Sequence, residues 1–367
     1  MYLKYKLKDL VSFGLGLTAT PHYVSSGIPF LSYKNISNDY IDFSDIKYIS
    51  KDDYIKASNS AKPRIGDILF TRVGSNLGHP VIVETNTPFI IFVSLGFLRT
   101  KSQFITNYYL LSWMNSDHFW KQVKSQIAGS SKFNLNIGWL EEFSISIPNI
   151  DEQTKVANML KLINQRIDTQ SKIIEKYESL ISTIRTNVFS SFQGKWTKLC
   201  DLVENKLLQL NRGNIIPKHP KDDVYKYPVY SSSVQKDGLM GYSDYYMFDK
   251  ELITWSIDGG GDIFFREKHK FCVTNVCGIL QLDTNKFSYR FVAEALKYQH
   301  SKMTFDYQTK AHPSVVEKLY SLPDIELNEQ NKYSKLFEVL YSKLSNEQKY
   351  LEIIKEQKKY LLSNMFI

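Results

Sequence analysis

Two stretches of the chain have the same layout: "FSISIPNIDEQTKVANMLKLINQRIDTQ" at 143–170 and "LYSLPDIELNEQNKYSKLFEVLYSKLSNEQ" at 319–348. Each begins with a short apolar strand, passes a proline and a Glu-Gln pair, and continues into a long periodic helix. Placing Glu152-Gln153 over Glu329-Gln330 gives an offset of 177 residues. An internal repeat of this kind predicts that one structural unit occurs twice in the chain.

Both helices carry apolar residues alternately three and four positions apart, which is the repeat of a coiled-coil seam. Each helix covers about 40 residues, or roughly 60 Å at 1.5 Å per residue. We expect Asp151 or Asn328 to cap the start of its helix. The alternative is that each helix only covers its own globular unit. The predicted seam consists of Leu160, Ile163, Ile167, Gln170, Ile174 and Ile184 in the first helix and Phe337, Leu340, Leu344, Glu347, Leu351 and Leu361 in the second.

The segments upstream of the two helices repeat less closely and predict two mixed α/β units. Amphipathic stretches at 105–123 and 287–303 predict one equivalent helix in each unit. The chain therefore has an α+β fold, in the order globular unit, long helix, globular unit, long helix. Short apolar segments bounded by Gly, Asn and Pro predict strands at 67–73, 79–84, 89–98 and 143–148, and again at 227–232, 251–257, 262–267 and 271–282.

The composition, 43% apolar and 23% charged over 367 residues, predicts a soluble protein of two or three domains. No stretch reaches 18 uninterrupted apolar residues, and the first residues lack the apolar core of an export signal, so neither a membrane span nor export is expected. The three cysteines fit a reducing compartment, and we expect the cytoplasm. The net charge is +8, of which the two helices (151–193 and 328–367) carry +1 and +2. The remaining +5 lies on the globular units and admits a polyanionic partner.

The motifs of catalytic chemistry are incomplete. The chain has no G-x-x-x-x-G-K-[ST] for ATP. "NTPF" at 86–89 resembles the Asn-Pro-Pro-Tyr/Phe motif of amino-methyltransferases, but Thr87 replaces the first proline and no glycine-rich cofactor motif precedes it. "DGGGDIFFREK" at 258–268 lacks the spacing of a metal-dependent nuclease. His269, Cys272 and Cys277 lack zinc-site spacing and a fourth ligand, and alternation along one strand would put the two cysteines on opposite faces. We therefore expect no enzyme activity and no bound metal in this chain.

The order and doubling of several short motifs resemble the specificity subunit of type I restriction–modification systems. The motifs are "GIPFLSYKNI", "PRIGDILFTRVGSNLG", "SIPNIDEQTKVANML", "YPVYSSSVQKDGLMGY" and "LPDIELNEQ". The resemblance covers essentially the whole chain. One departure is that the second hinge has two more residues between its proline and its Glu-Gln pair than the first.

The resemblance implies target-recognition domains at 1–147 and 194–322 and conserved helical spacers at 148–193 and 323–367. Each domain would read one half of a bipartite site in double-stranded DNA. The helices would pack as an antiparallel coiled coil with pseudo-twofold symmetry, and a rod of their length would separate the half-sites by about one to two DNA turns. They would also dock methyltransferase subunits, two in number, in a complex that includes restriction/translocase subunits. S-adenosylmethionine, ATP and Mg are implied for those partner subunits, with no cofactor in this chain.

DNA-binding residues are expected on loops that offer Lys and Arg to phosphates, and Arg, Asn, Gln, Ser and Lys to base edges. In the first unit the loops at 62–64, 71–79 and 129–134 have this composition. The loop at 308–313 is the expected counterpart of 129–134, because both lie between the amphipathic helix and the last strand. The candidates are Lys62, Arg64, Arg72, Ser75, Asn76, His79, Ser130, Ser131, Lys132 and Asn134, and in the second unit Ser231, Ser232, Ser233, Lys236, Arg266, Lys268, His269, Lys310 and His312.

Three other functions stay open from the sequence. The first is recognition in a related type II system whose partner is a fused nuclease–methylase. The second, from a different class, is a coiled-coil scaffold that binds proteins and no DNA. The third is a nuclease whose motif is not apparent. Retention on one DNA sequence at moderate salt excludes the scaffold, and cleavage by the purified chain with Mg²⁺ supports the nuclease.

The polar interruptions of the seam, Gln170 and Glu347, occupy equivalent positions near the middle of each helix. Antiparallel helices related by pseudo-twofold symmetry bring their middles together, so we predict that the Gln170 amide donates to the Glu347 carboxylate. Gln170→Leu alone should then lower the free energy of unfolding by about 1–3 kcal/mol, since the carboxylate loses its donor. The double Leu variant should stay folded. Thermal melts in which Gln170→Leu alone is neutral would refute the pairing.

Overall fold

The computed structural model describes residues 2–37, 40–73, 77–101, 103–127, 134–233, 235–258, 262–303 and 310–366. The chain divides into two compact units. Unit 1 comprises Met1–Ser171 and Tyr350–Ile367, and unit 2 comprises Lys172–Lys349. Each unit therefore contains one globular part and a segment of both long helices, whereas the domains expected from the sequence assigned each helix to a separate spacer.

In the first half of the chain the described residues form twelve strands and six helices. The strands are β1 (Leu3–Lys6), β2 (Val11–Leu15), β3 (Tyr23–Val24), β4 (Ile28–Leu31), β5 (Ile36–Ser37), β6 (Tyr40–Ile41), β7 (Lys47–Ile49), β8 (Ile68–Thr71), β9 (Pro80–Ile82), β10 (Ile90–Ile91), β11 (Leu95–Thr100) and β12 (Ser144–Ile147). The helices are α1 (Leu7–Leu10), α2 (Lys51–Lys56), α3 (Asn107–Met114), α4 (Asp117–Ile127), α5 (Ile137–Glu142) and the long α6 (Ile150–Ser190). Short 3-10 helices occur at Tyr33–Asn35 and Asn59–Ala61.

Within the described part of the second half, ten strands and four helices follow. The strands are β13 (Trp196–Lys198), β14 (Leu208–Arg212), β15 (Tyr227–Tyr230), β16 (Leu239–Ser243), β17 (Phe248–Asp249), β18 (Leu252–Ser256), β19 (Ile263–Arg266), β20 (Lys270–Val273), β21 (Cys277–Leu282) and β22 (Ser321–Pro323). The helices are α7 (Leu199–Glu204), α8 (Tyr289–His300), α9 (Pro313–Leu319) and the long α10 (Leu327–Asn364). A 3-10 helix covers Gln235–Gly238.

The strand pairing repeats between the units. In unit 1 the sheets have the orders β1-β12, β2-β11-β8-β9 and β10-β4-β7-β3, with β5 and β6 as a separate pair. In unit 2 the orders are β13-β22, β14-β21-β18-β19 and β16-β15-β20-β17. The first two repeat those of unit 1 strand for strand. In the third, β20-β15-β16 corresponds to β10-β4-β7, but β17 is added next to β20, whereas β3 is added next to β7. In both units the strand before the long helix pairs antiparallel with the first strand of the unit. The α+β repeat expected from the sequence is therefore confirmed.

Two of the predicted strands are each divided in the structure. Residues 89–98 form β10 and β11, and residues 271–282 form β20 and β21, with the members of each pair in different sheets. The chain turns between them, where the Leu95 amide donates to the Phe92 carbonyl at 2.8 Å and Cys277 to Thr274 at 3.0 Å. No Gly or Pro marks the middle of either turn. Cys272 and Cys277 are both buried, but they lie on separate strands and not on two faces of one.

The amphipathic stretch at 105–123 also differs from the prediction of a single helix. It forms α3 and α4, separated at Asn115 and Ser116, whereas its counterpart α8 is continuous. The Ser116 hydroxyl donates to the Trp113 carbonyl at 2.6 Å, so a serine side chain takes the bond that the next helical turn would make.

Within each unit the beginning of one long helix packs with the end of the other, so their segments run antiparallel. In unit 1, Leu160 of α6 and Phe366, just after α10, share one core with Tyr109 of α3. In unit 2, Ile181 of α6 packs with Phe337 of α10. Leu340 and Leu344 are also buried, and the seam residues Ile163, Ile167, Ile174, Ile184, Leu351 and Leu361 are half-buried. Gln170 is buried and Glu347 half-buried; their pairing stays a prediction.

The glutamine of the repeated Glu-Gln pair fixes the start of the first long helix. The buried Gln153 carboxamide donates to the carbonyls of Phe104 at 2.7 Å and Pro148 at 2.9 Å. Its oxygen accepts from the Thr106 amide at 2.9 Å. One side chain thus joins the start of α6 to the loop that leads into α3.

Gln330 makes the same three bonds in unit 2. Its nitrogen donates to the carbonyls of Lys286 at 3.0 Å and Ile325 at 2.8 Å. Its oxygen accepts from the Ser288 amide at 3.0 Å. Each glutamine bonds a carbonyl five residues before it, so the two hinges are equivalent although their prolines are not.

A second pair of glutamines repeats in the same register. Gln122 exchanges two hydrogen bonds with the main chain of Ser144 at the start of β12, at 2.7 and 2.9 Å. Gln299 does the same with Ser321 at the start of β22, at 2.7 and 2.9 Å. The strand before each long helix is thereby tied to the helix that covers it.

The predicted caps of the long helices are wrong. The Asn149 side chain, rather than Asp151, accepts from the Glu152 amide at 2.9 Å, because α6 begins one residue before Asp151. Asn328 lies inside α10, which begins at Leu327. Glu152 and Glu329 do lie in the first turns, where the helix dipole favours an acidic group.

In unit 2 the globular part is tied to both long helices by a buried ion network. Glu294 of α8 is fully buried and accepts from Arg185 of α6 at 2.7 Å, and Lys297 lies 3.4 Å from it. Arg185 also donates to the Tyr341 hydroxyl of α10 at 3.0 Å. Burial alone would raise the pKa of Glu294, but Lys297 and Arg185 outweigh burial, so the pKa is lowered.

Gln153→Leu should lower the free energy of unfolding by about 2–5 kcal/mol, because Phe104, Pro148 and Thr106 lose the partner of a buried main-chain group. Gln330→Leu should have an effect of the same size. Denaturant unfolding gives the measurement, and Gln165→Leu, at an exposed position of α6, is the control. A Gln153→Leu variant as stable as that control would contradict the anchoring role.

Glu294→Gln should cost about 3–5 kcal/mol, because it leaves the Arg185 guanidinium, 15% exposed, without its carboxylate. A lowered folded-state pKa stabilises the fold above the ordinary carboxyl value of 4.5, and this contribution is lost as pH falls toward the lowered value. The loss of stability on acidification below about pH 4.5 should therefore be smaller in Glu294→Gln than in the wild type. Exposed Glu338→Gln is the control, and equal pH profiles for wild type and Glu294→Gln would contradict the assignment.

Candidate nucleic-acid interface

Four separate segments of unit 1 are joined by main-chain hydrogen bonds at the ends of its strands. The Phe92 amide donates to the Leu31 carbonyl at the end of β4, at 2.8 Å. The Arg72 amide, just after β8, donates to the Ser94 carbonyl at 2.8 Å, and the Arg72 carbonyl accepts from Leu135 at 2.9 Å. These bonds connect 31–35, 72–73, 92–95 and 134–136, which we call the loop junction of unit 1.

The loop junction of unit 2, formed by 230–233, 257–258, 274–277 and 310–312, has the same bonds. The Thr274 amide donates to the Tyr230 carbonyl at 2.9 Å, and Ile257 donates to Val276 at 3.0 Å. The Ile257 carbonyl accepts from Ala311 at 3.1 Å. The register of these bonds makes Lys310 the counterpart of Asn134, so the predicted correspondence of the loops before α5 and α9 is confirmed.

The side chains on the two junctions differ at nearly every equivalent position. The pairs are Arg72 and Ile257, Phe92 and Thr274, Val93 and Asn275, Ser94 and Val276, Asn134 and Lys310, and Asn136 and His312. The same main-chain framework thus occurs in both units but carries different side chains in each. Such a pair of surfaces is suited to binding two ligands of the same class that differ in detail.

Several predicted residues of unit 1 lie at or near the junction. Asn134 is exposed on it, and Arg72 forms its centre. His79 is half-buried, and its amide donates to the Thr71 hydroxyl at 3.2 Å. Lys62 and exposed Arg64 lie on the loop before β8, away from the junction bonds. Ser75, Asn76, Ser130, Ser131 and Lys132 lie outside the described residues.

In unit 2 the structure brings Ser231, Ser232, Ser233, Lys310 and His312 to the junction. Exposed Lys310 forms an ion pair with Asp258 at 2.8 Å. Lys268 and His269 lie on the turn between β19 and β20, and the His269 ring lies 3.1 Å from the Tyr230 hydroxyl. For Lys236 the side chain lies outside the described part of the chain.

Two of the three candidate arginines, Arg72 and Arg266, are buried, contrary to the expectation of exposed phosphate contacts. Arg72 is 9% exposed because its guanidinium donates to the carbonyls of Leu135 at 3.1 Å and Val93 at 3.0 Å. Arg266 is 4% exposed and lies over the ring of Tyr230, at 3.8 Å from the ring centroid. Burial lowers the pKa of both groups.

Sequence reasoning missed the turn after β10 and β20, which places Phe92, Val93 and Ser94 on one junction and Thr274, Asn275 and Val276 on the other. These residues lie inside runs that have the composition of continuous strands. Their signal was the repeat itself, because the two aligned runs change between apolar and polar residues at all three positions of the turn.

None of the helices in the described ranges is long and apolar enough to span a membrane. Within the same ranges no group of His, Cys, Asp and Glu has the arrangement of a metal site.

A sequence model of the family described as the type I restriction modification DNA specificity domain matches residues 2–179 and 196–356. A Mycoplasma pneumoniae protein described as a type I specificity subunit is 32% identical over 151 residues, 38% of this chain and 47% of that protein. The specificity subunit of the type I restriction enzyme MpnII, from the same organism, is 28% identical over 149 residues, 38% of this chain and 43% of that protein. The chain thus spans about half the length of these relatives.

The fold is shared with solved structures. The crystal structure of a type I restriction-modification system S subunit from M. genitalium superposes with a TM-score of 0.62 and 17% identity, covering 100% of this chain and 96% of that one. A chain from a study of complex assembly and conformational transition of the type I R-M system gives a TM-score of 0.62 and 14% identity, covering 98% and 96%.

Proposed function

Because this chain belongs to the family of type I restriction modification DNA specificity domains, we propose that it selects the DNA sequence on which a type I complex acts. Unit 1 reads one half of a split site and unit 2 reads the other. The observation that carries the proposal is the duplicated loop junction, in which one main-chain framework bears Arg72, Phe92 and Asn134 in unit 1 but Ile257, Thr274 and Lys310 in unit 2. Unlike side chains on like frameworks fit two unlike half-sites.

Binding draws on the net positive charge of the globular units for the phosphates and on junction side chains for base edges. Exposed Asn134 and Lys310 are the junction groups best placed for direct contact. The chain itself catalyses no reaction in this proposal. Methylation with S-adenosylmethionine and ATP-dependent cleavage belong to partner subunits, and the complex works on DNA in the cytoplasm.

The long helices supply the docking surfaces for two methyltransferase subunits. Met159 and Leu162 on α6 are exposed, and the residues 177 positions later, Leu336 and Val339 on α10, are exposed as well. In unit 1 the exposed pair borders a groove of about 520 Å³ that Tyr350 also lines. Equivalent apolar surfaces on two helices fit two copies of one partner, and exposed apolar patches mark protein contacts. The restriction/translocase subunits join through this assembly.

Methylome sequencing of cells that express this chain with its methyltransferase subunit tests the proposal. One split motif with two unlike halves should be methylated. Replacing residues 1–142 by the corresponding domain of a relative should change one half only, because each junction is complete within its unit. A change in both halves, or methylation without a split motif, would overturn the division of labour.

The same preparation separates the other functions. A related type II system would show the same motif but a single partner that carries both methylase and nuclease domains. A protein scaffold would give no sequence-selective DNA retention by the purified chain. A hidden nuclease would cleave DNA with Mg²⁺ in the absence of any partner.

A further inference from the structure

The loop junction of unit 1 opens into a groove of about 530 Å³, within the range of about 300–1,000 Å³ that holds small ligands in proteins. A row of three aromatic rings lines it, those of Tyr23, Phe30 and Phe92. The ring centroids are 5.8 Å apart between Tyr23 and Phe30 and 5.9 Å apart between Phe30 and Phe92. Such a row offers a face on which another flat ring can stack.

The groove also offers hydrogen-bond donors beside the rings. Arg72 uses Nε and Nη1 for main-chain carbonyls, and its Nη2 has no partner among the described residues. Within those residues it forms no ion pair. The Ser94 hydroxyl accepts from the Tyr33 amide at 3.1 Å and donates to no other group of the described chain. The groove therefore matches a ligand with a flat ring and acceptors along its edge.

The groove is also lined by groups of both charges, Lys34 and Lys47 as well as Asp42 and Asp45, and Asn134 lies at the junction end. The Lys47 ammonium lies over the outer Tyr23 ring at 4.3 Å. Of the rings that line the groove, Phe30 is 5% exposed, whereas Phe92 is half-buried and lies beside the junction.

Unit 2 has none of these groups at the equivalent positions. By strand register, Val229 of unit 2 is equivalent to Phe30 of unit 1. By the junction bonds, Thr274 is equivalent to Phe92 and Ile257 to Arg72. The pair formed by the Phe92 ring and the Arg72 guanidinium therefore occurs in unit 1 and is not repeated at the equivalent positions of unit 2.

We propose that the groove of unit 1 takes one unpaired nucleobase of the first half-site, stacked on Phe92 and bonded through its acceptor edge by Arg72 and Ser94. This inference rests on the proposed function. A base has the required ring and edge acceptors, and the groove opens at the junction that reads DNA in that function. A base turned out of the duplex loses its pairing and stacking. In this proposal the contacts in the groove offset that loss of free energy.

The test uses the purified full-length chain and duplexes that carry the site found by methylome sequencing. Each base of the site is placed in turn opposite an abasic nucleotide, which removes its pairing, and affinity is measured by fluorescence anisotropy. At one position of the first half-site we expect about tenfold tighter binding than to the intact duplex, because the cost of unpairing is gone. No position of the second half-site should show this gain.

Two variants locate the effect in the groove. Asn134→Trp at the exposed rim places an indole in the groove and should abolish the gain. Phe92→Thr, which installs the residue of unit 2, should also abolish it, with thermal melts to verify folding. Lys310→Trp, the equivalent substitution in unit 2, is the control. In this variant the affinity for the abasic duplex should remain about tenfold higher than that for the intact duplex, even if both affinities change.

A wild type that binds its site without any such gain, or an Asn134→Trp variant that keeps it, would overturn the inference while leaving the proposed function in place. Competition by free nucleoside monophosphates with a flat abasic scan would assign the groove to a free nucleotide instead, and also overturn it. Asn134→Trp that impairs only assembly with the methyltransferase subunit would assign the groove to protein. Failure of the proposed function is a different result, since the wild type would then select no sequence.

Discussion

A buried glutamine carboxamide at the start of each long helix bonds three main-chain groups. A helix start leaves amide groups without partners, and the loop before it leaves carbonyls unpaired. Glutamine is suited to this place because one end of its amide donates two bonds and the other accepts. Gln153 and Gln330 bond the same three kinds of groups, so the direction in which each helix leaves its unit is set by the same contacts twice.

Because the helix direction is fixed, the rest of the unit can vary in its loops. The paired edge strands and the glutamine that binds the last strand, Gln122 or Gln299, close each unit next to the helix start. The loop junction lies on other strands and is held in both units by the same main-chain bonds, to which Arg72 adds side-chain bonds in unit 1. The residues that anchor the long helices are thus largely separate from those proposed to contact DNA. At the equivalent positions Phe92 and Thr274 the side chains differ, but the main-chain bond is the same.

The sequence predicts the parts of the fold that follow from periodicity and repetition. The seams of Leu160 and Phe337, the doubled α/β layout and the correspondence of the loops near Asn134 and Lys310 were all readable from spacing. The division of 89–98 into two strands was not, because the turn at Val93 contains no residue that breaks strands. The caps were misassigned because helix boundaries depend on main-chain geometry rather than on residue type.

The site was harder to predict than the fold. The sequence does not distinguish an arginine that faces solvent from one that donates to main-chain carbonyls, as Arg72 does. Which of the two occurs depends on the strand ends that lie around the arginine. The role of Gln153 was equally hidden although its repetition was plain, since its partners are carbonyl and amide groups that every residue has. Comparing the two halves of the chain identifies positions that repeat or differ. The structure is needed to decide whether the residue at such a position stabilises the fold or is available to bind a partner.

The composition of unit 1 has a consequence for the order of synthesis. Unit 2 is one continuous stretch, Lys172–Lys349, whereas unit 1 needs Tyr350–Ile367 in addition to the first 171 residues. Phe366 packs against Tyr109 at a ring-centroid distance of 5.3 Å, inside the core that Leu160 also joins. Since domains fold as their residues leave the ribosome, the unit that emerges first is the last to be completed. Until then its apolar core surface stays open, and a nascent chain is exposed to aggregation or chaperone binding throughout the translation of unit 2.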